Sequence, residues 1–236
     1  MKSIPSMSLK TKAMKSLGRK ILCVLLSGVF FGDTIAWAEA PILPDTTAPG
    51  NRYPLVQETA NGIPLVNISA PTAGGVSRND YERFNIPTKG AILNNSYTLS
   101  KTELAGYVQG NANMAQGPAK IIVNQVTSGN STTMNGFLEI AGHKADVIIA
   151  NPNGITVNGG GFINTARAIL TTGKPEYDNK ERLKDFRIDN DATILITGNG
   201  LNGKKSRHIG TLYQSRRNQS GYLWEYRTCH HRCQCD

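Results

Sequence analysis

The body of this 236-residue chain contains no cysteine. Cys23 lies near the start, and Cys229, Cys233 and Cys235 crowd into the last eight residues. Between Glu39 and Gly200 a disulfide framework and a thiol nucleophile are therefore both excluded. Histidine is almost as scarce there, with His143 standing alone. Aromatic residues make up 7% of the chain, so any interior has to be filled by Ile, Val, Leu and Ala. Charged side chains are present but not gathered into a constellation. Glu139, Asp146 and Arg167 are isolated in sequence, and Glu176, Asp178, Glu181, Asp185, Asp189 and Asp191 interleave with Lys and Arg in one polar stretch. That stretch reads as a solvated loop or an insertion. Sugar-cleaving chemistry needs a paired acid and base, and a calcium loop needs regular Asp/Gly spacing. Neither is visible, so no enzyme, catalytic residue or cofactor is predicted.

A cationic face is missing as well. The net charge of +9 is carried by the two ends: residues 1–38 and 200–236 contribute +5 each, and the stretch between them is −1. Nucleic-acid binding is set aside on that ground. Long apolar runs are also lacking. The longest, "ILCVLLSGVFF" (Ile21 to Phe31), is eleven residues, too short to cross a hydrocarbon core of ~30 Å as a helix. It follows Lys10, Lys12, Lys15, Arg19 and Lys20 and precedes "AWA". This is the layout of an export signal, with Ala36 and Ala38 at the small-residue positions and cleavage before Glu39.

What the body does have is a recurrence of short β-prone runs. "GAILNN" (from Gly90), "AKIIVNQVTS" (from Ala119), "GFLEIAG" (from Gly136), "ADVIIAN" (from Ala145), "GITVNG" (from Gly154), "ARAILTTG" (from Ala166) and "ATILITGNG" (from Ala192) are each bounded by Gly, Asn or Pro. Only "ERLKDF" (Glu181 to Phe186) hints at a helical turn. Residues 39–71 read as an extended N-terminal segment with one or two short strands, Pro64 suiting a strand start or an edge. The chain is all-β. Apolar triplets centred on Ile122, Ile148, Ile169 and Leu195 recur every twenty-odd residues, the spacing of stacked solenoid coils. A sandwich of hairpins is the competing architecture. The wealth of Asn and Gly, which tolerate the left-handed turns of a coil, favours a right-handed parallel β-helix.

Asn151-Pro152-Asn153-Gly154 has a complete local explanation as a β-turn. Asn at the first position bonds its own backbone two residues on, Pro presets the second, Asn tolerates the third and Gly suits the fourth. Its setting carries more. "ILNNS" (Ile92 to Ser96), "NANM" (Asn111 to Met114), "IIVNQVTS", "NPNGI" and "GGGFINTARAILTTG" occur in an order that resembles the N-terminal secretion domain of two-partner secretion (TPS) exoproteins, the filamentous haemagglutinins, large haemolysins and contact-dependent inhibition effectors. The resemblance spans roughly Ile63 to Gly200. It implies a single-stranded right-handed β-helix with an N-terminal cap and extra-helical β elements. It implies passage through the Sec machinery and recognition by the POTRA domains of a TpsB-type outer-membrane β-barrel transporter, giving a secreted or cell-surface protein of a Gram-negative bacterium.

The family's two export motifs map onto Asn151, Pro152, Asn153, Gly154 and Ile155, and more loosely onto Asn111, Asn113 and Met114, where Ala112 replaces Pro or Ser. A Cys pair present in some relatives falls here on Val157 and Gly160 and is absent. After Gly200 the β pattern stops. The basic tail, residues 201–236, reads as frameshifted or disordered, and its Cys229, His230, His231, Cys233 and Cys235 are too cramped for a zinc site. The organisation expected is thus a signal peptide at 1–38, a secretion domain at 39–200 and an aberrant tail, the remnant of a larger adhesin or toxin. A host or neighbouring-cell surface would then be bound by a missing downstream region. The alternative is a short secreted adhesin that binds a host or glycan surface by itself.

Overall fold

The computed structural model describes residues 39–189 and 191–201, with the backbone of two further strands at 212–216 and 223–227. The proposed signal peptide, including Ala36 and Ala38, and the cysteine-rich end lie outside the described residues, and Glu39 is the first residue within them.

The N-terminal stretch forms β1 (Ile42–Pro44), β2 (Leu55–Glu58) and β3 (Pro64–Asn67). There follow β4 (Val76–Phe84), β5 (Ala91–Asn95) and a small hairpin of β6 (Ser100–Thr102) and β7 (Gly106–Val108). Then come β8 (Ile121–Val126), β9 (Thr132–Met134), β10 (Phe137–Gly142), β11 (Asp146–Ala150), β12 (Ile155–Val157), β13 (Gly161–Ile163) and β14 (Arg167–Thr171). A second hairpin, β15 (Lys174–Tyr177) and β16 (Leu183–Arg187), precedes β17 (Ile194–Ile196). The tail contributes β18 (Leu212–Arg216) and β19 (Leu223–Arg227).

Three sheets wind around one interior. Sheet A runs β1-β4-β8-β11-β14-β18-β19, sheet B runs β13-β10-β5-β3-β2 and sheet C runs β17-β12-β9. Successive strands of the chain fall on A, C and B in turn, and within each sheet the coils pair in parallel. This is a parallel β-helix. Antiparallel β1 and β2 close the N-terminal side of sheets A and B, forming the cap.

Because parallel register puts equivalent residues above one another, the interior is built as columns. Ala91, Leu138 and Phe162 stack on the inner face of sheet B, beside Val66, Leu93 and Ile140. Ile122, Val147 and Ala168 form the matching column of sheet A, and Met134, Val157 and Ile196 that of sheet C.

The solenoid repeat is real, but two of the four residues chosen to mark it belong elsewhere. Ile148 and Ile169 do face each other across β11 and β14, and Val123 stands over Ile148. Ile122 pairs instead with Val147 on the inner face, and Leu195 lies in sheet C opposite Thr156. The interval from Ile169 to Leu195 is therefore no coil repeat, because an entire hairpin intervenes.

That hairpin corrects one reading and decides another. Of "ERLKDF", the residues from Leu183 on form strand β16, not a helical turn, and the polar stretch is an insertion and not a plain solvated loop. Its Tyr177, Leu183 and Phe186 pack on the outer stripe Val76, Val123, Ile148 and Ile169 of sheet A, while its charges face water. Arg78 lies over the Tyr177 ring, 3.8 Å from the centroid. Similarly, β6–β7 folds Val108, Leu104 and Ala105 onto Ile63, Leu65, Ile92 and Ala141 outside sheet B.

Candidate functional site

Where a coil turns a corner the parallel ladder stops, and backbone carbonyls at the ends of the strands lose their ladder partners. Buried in a corner, each such carbonyl needs a donor. Asparagine amides supply them, and the two export-motif candidates are both of this kind.

In the first, Asn111 N-caps a single 3-10 turn, Ala112–Met114, its Oδ1 accepting from the Asn113 N–H at 3.0 Å. Asn111 Nδ2 donates to Ile68 O (2.9 Å) and Asn94 O (3.0 Å), and Asn113 Nδ2 donates to Ile68 O at 2.9 Å. The Met114 N–H closes the turn on Asn111 O at 3.0 Å, and its side chain is buried in the core.

The second repeats the device one corner further round. Asn151 Oδ1 accepts from the Asn153 N–H at 2.9 Å, and the Gly154 N–H donates to Asn151 O at 3.1 Å. Asn151 Nδ2 donates to Asn130 O and to Thr132 Oγ1, both at 2.9 Å, and Asn153 Nδ2 reaches Ser128 O at 2.7 Å. Gly154 has φ +102, a left-handed region that favours glycine. Ile155 then enters sheet C with its side chain in the core, its N–H bonded to Thr193 O at 3.1 Å.

The two motifs are thus geometric twins. In each, Asn at position one is buried (Asn111 2% and Asn151 0% exposed) and Asn at position three ties the turn to the preceding coil. Their exposed parts are Ala112, Asn113 and Asn153, with Pro152 half-buried. The structure does not bring them into one patch: the first turns the chain from the sheet B side into β8, the second from β11 into β12.

Other corner asparagines do the same work and were not singled out in the sequence. Asn95 donates to Ala119 O and His143 O, both at 2.9 Å, and accepts from the Ala119 N–H at 2.8 Å. Asn164, at φ +55, donates to Ile140 O (2.8 Å) and Gly142 O (3.0 Å). Asn95 is the last residue of β5, "AILNN", and Asn164 directly follows β13, "GFI"; an Asn at the end of an aliphatic strand is the signal that could have found them.

The isolated charged residues also acquire partners. Arg167 Nε sits 3.1 Å from Asp146 Oδ2, the two facing each other across β11 and β14. Buried Glu139 accepts from the backbone N–H of Glu103 (2.7 Å) and Leu104 (2.9 Å), anchoring the first hairpin. Loss of hydration pushes its carboxyl above the usual range, and Asp80 is raised for the same reason despite Arg52 beside it. Among the described residues no group of three or more His, Cys, Asp or Glu is placed to hold a metal. None of their helices is long and apolar enough to cross a membrane.

The family profile described as the TPS secretion domain matches residues 40–228. The chain belongs to the TPS secretion domain family. Its match runs through the cap, every coil and both extra-helical hairpins, and on into the tail strands. A solved relative, the filamentous hemagglutinin secretion domain, superimposes with a TM-score of 0.62 at 29% identity, over 76% of this chain and 60% of that one. In sequence the TPS domain is 43% identical over 187 residues to a protein of Yersinia pestis named Toxin CdiA, and 42% identical over 185 residues to a 16S rRNA endonuclease CdiA of Enterobacter cloacae subsp. cloacae. These alignments cover 79% and 76% of this chain but 6% of each relative. Toxin and endonuclease are thus names of proteins of which this TPS domain resembles a small part.

Proposed function

We propose that this TPS domain is the export-targeting module of a contact-dependent-inhibition or haemagglutinin-like exoprotein, recognised by a cognate TpsB-type outer-membrane transporter. The POTRA domains of that transporter receive the chain after Sec-dependent passage of the inner membrane, and the product is secreted or held at the cell surface. The observation that carries this reading is the pair of twin asparagine latches within a family-matched β-helix.

The geometry also refines how the motifs act. Buried Asn111 and Asn151 offer a receptor nothing once the coils have closed, so a transporter that reads these two side chains meets them before folding. As an extended chain, the β-prone runs have free backbone donors and acceptors that can add to a receptor's sheet edge. After exit the latches close and successive coils bury their apolar columns at about 25 cal/mol per Å², which biases movement outward without a nucleotide. Any adhesive or toxic activity belongs to further sequence of the kind that makes up most of the relatives' length.

The test is co-expression of the full chain with a candidate transporter and assay of the medium. Transporter-dependent export, lost on Asn151→Ala, is expected. Equal export with and without the transporter would overturn the reading and favour a stand-alone adhesin.

A further inference from the structure

The two latches share a geometry but differ in chemistry, because only the second contains an Asn–Gly bond. Asparagine is thermolabile, and most so before glycine. With no Cβ in the way, the glycine nitrogen attacks the asparagine Cγ, the Cγ–Nδ2 bond breaks, and ammonia leaves as a succinimide ring closes. Water then opens the ring at one carbonyl or the other, giving aspartate or isoaspartate. Water is the only co-reactant. The product carries one more negative charge, and isoaspartate adds a methylene to the main chain.

The folded latch restrains both reacting groups. The nucleophile, Gly154 N, is buried and donates to Asn151 O at 3.1 Å. The leaving amine, Asn153 Nδ2, donates to Ser128 O at 2.7 Å and Asn151 Oδ1 at 3.1 Å. We propose that Asn153–Gly154 is a site of spontaneous deamidation that is open only in the unfolded chain, and that its modification prevents the second latch from closing. Aspartate at 153 has no donor for Ser128 O and sets a carboxylate against the oxygens of Ser128 and Asn151. Isoaspartate lengthens the turn that fixes Ile155 opposite Thr132 and Ile194. The Asn111 latch, with Met114 at the fourth position, is spared because its side chain hinders the attack. The biological meaning rests on the export reading above: time spent unfolded is written into the motif, and coiling protects it.

Asn61–Gly62 is the internal control. It lies in the turn between β2 and β3, its side chain is exposed like that of Asn153 and Gly62 N donates to Thr59 O at 2.8 Å, but its side-chain partners, Thr59 Oγ1 and Leu104 O, are peripheral to the coils. The experiment holds the full chain in denaturing urea or in native buffer at mildly alkaline pH. Samples are refolded and separated into protease-resistant and protease-sensitive fractions, then mapped by peptide mass spectrometry with isoaspartate-specific methylation.

Asn153 is expected to modify roughly tenfold or more slowly in the native chain than in urea, since reaction requires local opening. Chains modified at Asn153 should be depleted from the refolded fraction, while those modified at Asn61 divide evenly. Asn153→Asp should reproduce the refolding loss without ageing. Equal rates in urea and native buffer, or modified Asn153 equally abundant in both fractions, would overturn the proposal. No transporter takes part, so failure here leaves the export reading untouched, and transporter-independent export would leave this chemistry untouched.

Discussion

Replacing Asn151 by alanine removes a side chain that is wholly buried and makes four hydrogen bonds. Two are donated to Asn130 O and Thr132 Oγ1, and two are accepted from Asn153, from its N–H and its Nδ2. A buried hydrogen bond contributes about 1 kcal/mol net, and the groups left behind lose partners without regaining water. The expected loss is therefore about 3–4 kcal/mol, a large fraction of the stability of a domain this size. Pro152→Ala in the same turn touches none of these bonds and should cost only about 0.4–1 kcal/mol through the freer unfolded chain. Urea midpoints of the two full-length variants, read beside their export into the medium, separate two roles for the motif. If the motif acts by closing the coil, export falls with Asn151→Ala and stays near normal with Pro152→Ala. An unchanged midpoint for Asn151→Ala would refute the latch. A stable Pro152→Ala variant that is not exported would show that the transporter reads the turn directly.

Three further outcomes follow from particular contacts. Phe162→Ala, in the column Ala91–Leu138–Phe162, should lower stability by about 3–5 kcal/mol by opening a cavity between coils, measured by denaturant unfolding. Gly136→Ala would place a Cβ 2.1 Å from Pro87 O, whereas Gly129→Ala meets nothing within 4 Å. The first should unfold at markedly lower urea and the second should be neutral to within about 1 kcal/mol. The pH dependence should have two limbs. Glu139 and Asp80 have raised values, so the folded chain holds more protons than the unfolded one between the ordinary carboxylate range and those raised values, and stability rises as pH falls through that window. Asp45, lowered chiefly by its bond from Thr127, and Asp178, lowered chiefly by the Arg182 N–H, contribute stability that is lost on further acidification through their depressed values. Thermal midpoints across pH should show the rise and the fall, and Glu139→Gln should flatten the first.

Several strands were readable because one face of each is aliphatic and its ends are marked by Gly or Asn: β5, β8, β10, β11, β12, β14 and β17 all lie within the runs predicted for them. The longest strand, β4, was not readable. Its inner face carries Ser77 and Asn79, which are satisfied by Ser69 O at 2.7 Å and Val123 O at 3.3 Å, so no apolar alternation exists to be seen. Two short strands escaped as well: β9, Thr132–Met134, carries no Ile, Val or Leu, and β13, Gly161–Ile163, begins inside the run of glycines from Gly159 to Gly161. The second hairpin was readable only as a solvated loop or an insertion, not as two strands, because its apolar residues, Tyr177, Leu183 and Phe186, are few and their target is a distant sheet face.

Composition and local pattern determined the fold class, through aliphatic runs punctuated by Asn and Gly, and the order of the motifs carried the resemblance to the TPS secretion domain. They also determined that NPNG is a turn, since each of its four residues suits its position locally. Only the tertiary structure decided what that turn holds. The partners of Asn151 and Asn153 are Ser128, Asn130 and Thr132, a coil earlier in the chain. Parallel stacking brings them within reach, and no local propensity encodes that register. For the same reason Asn111 and Asn151, alike in sequence, proved alike in use: each fills the vacancy that a parallel coil leaves wherever it turns.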